Sequence, residues 1–264
     1  MSTSSLNVSV TPVQDGFALS HDGEVLRTRG GNPIQHPSEE LVQVIASTLA
    51  SMPDVSIDGG TLKVPVSVNL ASMLMVTLDV VVPEKDPITS NFAKVLFADP
   101  MLHTIAGPEQ LSREAAYEPV YSWLQDEIAH LRKRVAELES VAFDPNPENL
   151  AGPVSEAVEQ AIDHIKWLYD VLSPEQRAVI NVLSMFHDHC LLLAMSLILN
   201  PVCDAQEYAD GVIGALMLDS EVFSDVPKKE TAAARARLKR DAEVALHFLA
   251  LTDTDDHDLD GEDE

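Results

Sequence analysis

The stretch from Pro174 to Leu199, PEQRAVINVLSMFHDHCLLLAMSLIL, constrains the fold more than any other part of the chain. Apolar residues lie on nearly every side of it, and a helix apolar all round must be buried in protein or in lipid. Ser173 suits the N-cap, Pro174 the first helical position, and Gln176 stands where a capping-box partner reaches back. Asn200-Pro201 stops the helix, because proline lacks the N–H and restrains the residue before it. One continuous central helix is therefore predicted, about 39 Å long at about 1.5 Å per residue. Lipid is opposed by His187, Asp188 and His189 at its middle, where one Asp alone costs about 2.5–3.5 kcal/mol. No Lys/Arg cluster flanks it, so it is expected to be the core helix of a helical domain, with no membrane insertion.

A chain of 264 residues that is 45% hydrophobic can build one large core or two ordinary ones. Its two cysteines, Cys190 and Cys203, give no disulfide framework and point to a reducing compartment. The N-terminus, MSTSSLNVSV, has the pattern of neither a signal nor a transit peptide, and a cytoplasmic location is expected. The net charge is −26, and the run from Asp253 to Glu264 carries eight acids and no Lys or Arg. Nucleic acid and anionic membrane surfaces are poor partners for that charge, while a basic protein surface is a good one. The plainer reading is an acidic surface that keeps the protein soluble. The run 253–264 itself has the composition of a disordered tail.

Residues 11 to 82 carry turns and short apolar runs. Gly16-Phe17-Ala18-Leu19 leads into His21-Asp22-Gly23-Glu24, where Asp-Gly signals a hairpin, and Val25 to Thr28 is the returning strand. Ser38 is placed to cap a helix whose face is Leu41, Val44, Ile45, Thr48 and Leu49. After Gly59-Gly60, the alternation of Leu62, Val64, Val66 and Val68 predicts a strand, whereas Leu70 to Val82 reads equally as strand or helix. Between Pro83 and Pro100 no period is visible, and the two halves are expected to join there.

From Ser112 the pattern is helical. Tyr117, Tyr121, Leu124, Ile128, Leu131, Val135, Leu138 and Ala142 alternate spacings of four and three, a heptad-like seam. Either an intramolecular antiparallel helix or a coiled-coil dimer satisfies it, and a monomer is the expected state. The Pro/Asn/Gly-rich run 144–153 breaks the chain before further helices near Val154–Leu172, Ala205–Leu218 and Glu230–Leu251.

Chemistry-bearing motifs are few. His187-Asp188-His189-Cys190 is the densest set of metal-ligand types, but on a helix only His187 and Cys190 share a face. Two ligands do not make a zinc site, and no metal or other cofactor is expected. No nucleophile elbow, P-loop or dinucleotide fingerprint occurs, so no catalytic residue is assigned and a binding protein is favoured over an enzyme.

Several stretches together resemble the Atp12-type assembly chaperones of the F1-ATPase. Gly16-Phe17-Ala18, Asp22-Gly23-Glu24 and Arg27-Thr28 are similar to that family's opening motifs, and Pro37-Ser38-Glu39-Glu40-Leu41 to its first helix start. Asp99-Pro100-Met101-Leu102-His103 and Tyr117-Glu118-Pro119-Val120-Tyr121-Ser122-Trp123 resemble its Asp-Leu-Leu-Cys-Tyr and Trp-Asp-Pro-Leu-Leu-Asp-Trp, and His247 to Leu251 its ending. Departures fall at Thr28-Arg29, where the family has Thr-Pro, and after Leu218-Asp219, where Phe223 and Pro227-Lys228 replace its Gln and Trp-Gly.

The resemblance implies an α+β protein: a small β-rich N-terminal domain, 1–100, then a larger all-helical domain, 101–252, and the acidic tail 253–264. It implies a non-enzymatic chaperone that binds an F1-ATPase subunit, the α subunit or else β, before the hexamer forms. By position, Asp219, Asp225 and Glu230 are the partner-binding acids it implies. A different class, an adaptor or oligomerising scaffold of the same fold that uses the 117–142 seam, is the alternative.

Overall fold

The structure is a computed structural model that describes residues 7–103, 109–116, 118–142, 154–216 and 228–253. Contacts within it divide the chain into two units, Met1–Glu84 with Val244–Glu264, and Lys85–Glu243. The described strands lie between residues 9 and 63 and helices dominate from 70 onward, so the α+β class holds.

In the first unit, β1 (Ser9–Val13) pairs antiparallel with β2 (Gly16–His21). The other edge of β2 takes β3 (Glu24–Val25) at one end and β4 (Gln35–His36) at the other. Asp22 (φ +51°) and Gly23 (φ +84°) form the expected Asp-Gly turn, both left-handed as a tight hairpin requires. Gly16 has φ +127°, and a Cβ there would stand 2.5 Å from the His36 carbonyl oxygen, so no other residue fits between β2 and the end of β4. Helix α1 (Glu39–Ser51) starts where predicted, the Leu41 N–H donating to Ser38 Oγ at 3.1 Å.

The strand expected over Leu62 to Val68 is cut short. β5 (Ser56–Asp58) and β6 (Thr61–Lys63) form a two-stranded ribbon about Gly59-Gly60, and Pro65, which has no N–H for a ladder, ends regular pairing. Val66 is 76% exposed. The ambiguous Leu70 to Val82 is helical: α2 (Leu70–Val76) is capped by Asn69 and runs on into a π-helical turn, Thr77–Val81. That turn presents Asp79 to the 28–32 loop. Its carboxylate accepts from the Thr28 hydroxyl, the Gly30 N–H at 3.0 Å and the Asn32 amide at 2.8 Å.

In the second unit, the stretch without a visible period consists of very short helices, two of them begun by an Asp-Pro pair. Asp86 caps α3 (Pro87–Ser90), α4 spans Phe92–Phe97, and Asp99 caps a 3-10 turn at Pro100–Leu102. After α5 (Glu109–Ala116), the described part of the heptad-like seam is not one helix but two, α6 (Glu118–Trp123) and α7 (Gln125–Ala142), and Tyr117 lies outside the described residues. Leu124, Ile128, Leu131 and Val135 are each at most 4% exposed, and α7 packs along α8 (Glu156–Asp170), so the seam is buried within one chain. The connecting run 144–153 lies outside the described residues.

The central helix is broken. Pro174–Phe186 forms α9 and Leu191–Leu199 forms α10, with the polar His187 to Cys190 between them. Asp188 (φ +50°) and His189 (φ +65°) are both left-handed, a conformation no α-helix continues through. The predicted capping box at Ser173 and Gln176 is present, and the stretch is as buried as its composition requires. Helix α11 (Ala205–Ala215) opens on a second capping box, Asp204 with Glu207. The long α12 (Lys228–Thr252) carries residues of both units. Among the described residues no helix is long and apolar enough to cross a membrane.

Candidate functional site

Of the three acids singled out by resemblance, Asp219 and Asp225 lie outside the described residues. Glu230 is exposed on the first turn of α12. A negative side chain there complements the helix dipole, which is reason enough for its presence without a partner. The surrounding helix is held firmly in the second unit. Thr231, Leu238 and Ala242 are buried, and Arg235 Nε donates to Asp210 Oδ1 of α11 at 2.5 Å.

A second clasp on α12 comes from the break in the central helix. His187, 2% exposed, hydrogen-bonds through Nδ1 to the Tyr208 hydroxyl at 2.6 Å and through Nε2 to Asp241 Oδ2 at 3.1 Å. Burial, and after it the neighbouring Cys190 and Asp241, hold the Tyr208 hydroxyl well above its ordinary pKa, so it stays protonated. With both ring nitrogens engaged and the ring out of solvent, His187 is a structural tie between α9, α11 and α12. The face that an unbroken helix would give to His187 and Cys190 does not exist. Among the described residues no group of three or more His, Cys, Asp and Glu is placed to hold a metal ion.

Two further buried carboxylates do similar work. Asp99, fully buried, accepts from the Met101 N–H at 2.8 Å and, across the unit, from the Leu192 N–H at 2.7 Å. It thus satisfies amides at the start of α10, which has no side-chain cap of its own. Burial raises its pKa from 3.8 to about 6 despite these bonds. Asp86 accepts from the Ile88 N–H at 2.8 Å and from the Tyr169 hydroxyl, which in turn accepts from Asn181 Nδ2 at 2.8 Å. Burial first, then Asp86, push the Tyr169 hydroxyl upward in pKa.

Sequence reasoning missed the roles of Asp241, Tyr208 and Asp79, each tied to a residue far away in the chain. Asp86 and Asp99 carried a local signal, an acid immediately before proline at a helix start.

Fold and side-chain placement together define an α+β protein whose buried acids hold helix ends and whose last described helix has an acid open to solvent in its first turn. No family model matches the sequence, and no curated protein matches it. Among solved structures it is similar to Atp12 from Paracoccus denitrificans, with a TM-score of 0.57 and 18% identity over 93% of this chain and 95% of that one. An aspartate-to-lysine variant of the same protein aligns with a TM-score of 0.56, 17% identity and the same coverage. The chain has an Atp12-type fold.

Proposed function

We propose that the chain is a non-enzymatic assembly chaperone that binds an F1-ATPase subunit, the α subunit, before it enters the hexamer. The observation that carries this reading is the Atp12-type fold along 93% of the chain. In this reading the protein acts as a monomer in the cytoplasm, and Asp219, Asp225 and Glu230 meet the client. Physical chemistry supports it: a surface of charge −26 overall steers a basic subunit interface and repels acidic competitors, with no reaction needed.

The test is affinity capture from native lysate with the wild type beside an Asp219→Ala/Asp225→Ala/Glu230→Ala variant, the captured proteins being identified by mass spectrometry. The expected result is an F1 α subunit enriched by the wild type and depleted with the variant. An F1-free capture by the wild type sinks the proposal, and equal capture by both moves the contact away from these acids.

A further inference from the structure

Helices α7 and α8 leave an open groove of about 300 Å³ between them. It exists because Ala157 and Ala161 offer only methyl groups where larger side chains would close it. Asp126, Glu127 and His130 line it from α7, Gln160 and His164 from α8, and among these lining residues there is no Lys or Arg. Glu127 Oε1 meets His164 Nδ1 at 2.6 Å, which fixes both at the groove edge. One turn further along α8, the Trp167 ring stacks beside that imidazole, with centroids 6.3 Å apart and planes at 22°. Trp167 is nevertheless 58% exposed, as is Val171 a turn beyond.

We infer that this groove and the adjoining indole form a docking site for an arginine carried on a protein partner. Carboxylates at the groove call for a cation. A planar guanidinium uses both kinds of surface present, since it bonds carboxylates in pairs and stacks on aromatic faces, whereas an ammonium does neither as well. Trp167 and Val171 extend the surface beyond the reach of a small cation. An exposed Trp next to a polar pocket is the residue type that dominates protein interfaces. The site stands on α7 and α8 alone and does not depend on the client proposed above.

The test uses Trp167 as its own reporter, in a Trp123→Phe background that leaves it the single tryptophan. The probe is a synthetic amphipathic helical peptide with arginines beside leucines, compared with the same peptide carrying citrulline and with spermidine. A saturable change in Trp167 emission is expected with the arginine peptide, about tenfold weaker with citrulline. Asp126→Asn/Glu127→Gln should weaken binding by about tenfold. Ala157→Arg, which fills the groove with a tethered guanidinium, should abolish it, with circular dichroism confirming the helix content of each variant. Glu156→Gln/Glu159→Gln removes the same charge from α8 outside the groove and should change affinity by less than about twofold. Equal losses in the two double variants would show general attraction to an acidic surface and overturn the site. Spermidine binding as tightly as the peptide would make it a small-cation site, and a silent Trp167 would end the proposal outright.

Discussion

Replacing Asp99 with Asn should destabilise the second unit by an amount that depends on pH. Asp99 is fully buried and caps two helical starts, and its folded pKa is about 6 against 3.8 for an unperturbed Asp. Because the folded value is the higher one, the folded state holds the proton at pH 5 while the unfolded state has released it. That proton's contribution is complete below 3.8 and is lost as pH rises through about 6. Linkage over this shift gives the wild type about 1 kcal/mol more stability at pH 5 than at pH 7.5. Asn keeps the shape and one acceptor, but its amino group faces the second amide, which costs about 1–3 kcal/mol. Asn does not titrate, so the gap between wild type and variant should be wider at pH 5 by about 1 kcal/mol. Comparing the two proteins at each pH cancels the effect of the overall charge, and pH 5 remains above the sequence pI of about 4.4. Urea titration followed by tryptophan fluorescence is the assay, because Trp123 and Trp167 both belong to the unit that contains Asp99. A gap of equal size at the two pH values, or one wider at pH 7.5, refutes the assignment of a buried, late-ionising carboxyl.

His187→Phe strands the fully buried Tyr208 hydroxyl and should lower stability by about 1–3 kcal/mol, part of it recovered when Tyr208→Phe is added. Gly16→Ala forces a side chain against the His36 carbonyl at a left-handed φ, and a loss of at least about 1–3 kcal/mol is expected in thermal unfolding. Asp79→Ala releases the 28–32 loop, so the Gly30 amide should exchange with deuterium far faster while amides of α9 keep their protection. Burial pushes the Cys203 thiol up to about 11, so at pH 8 it should react with iodoacetamide about a hundredfold more slowly than in urea; equal rates would contradict its burial.

What could be read in advance was local. The Ser38 cap, the Ser173–Gln176 box and the Asp22-Gly23 turn each depend on residues a few positions apart, and each is present. The break at His187 was hidden because apolar content says that a segment is buried, not that it is continuous. Its trace was the polar run inside an apolar one, with Asp and His among the types that tolerate a left-handed backbone. The partners that fix the break, Asp99, Tyr208 and Asp241, are far away in sequence and no periodicity connects them. Several motif positions that carried the family resemblance are anchors of the chain path: Gly16 between strands, Thr28 on Asp79, Asp99 under α10. They say nothing about a client, and of the acids that would, only Glu230 is among the described residues.

The division of α12 between the two units has a consequence for synthesis. The N-terminal unit is Met1–Glu84 together with the chain from Val244, and that late segment supplies Ala245, Phe248 and Leu251 as buried residues. A ribosome therefore delivers the strands and α1 long before it delivers the helical turns grouped with them. The intervening unit is contiguous and can close first, so the part of the protein made earliest is the last able to finish folding. Until then the apolar surface destined for those turns waits uncovered on the nascent chain.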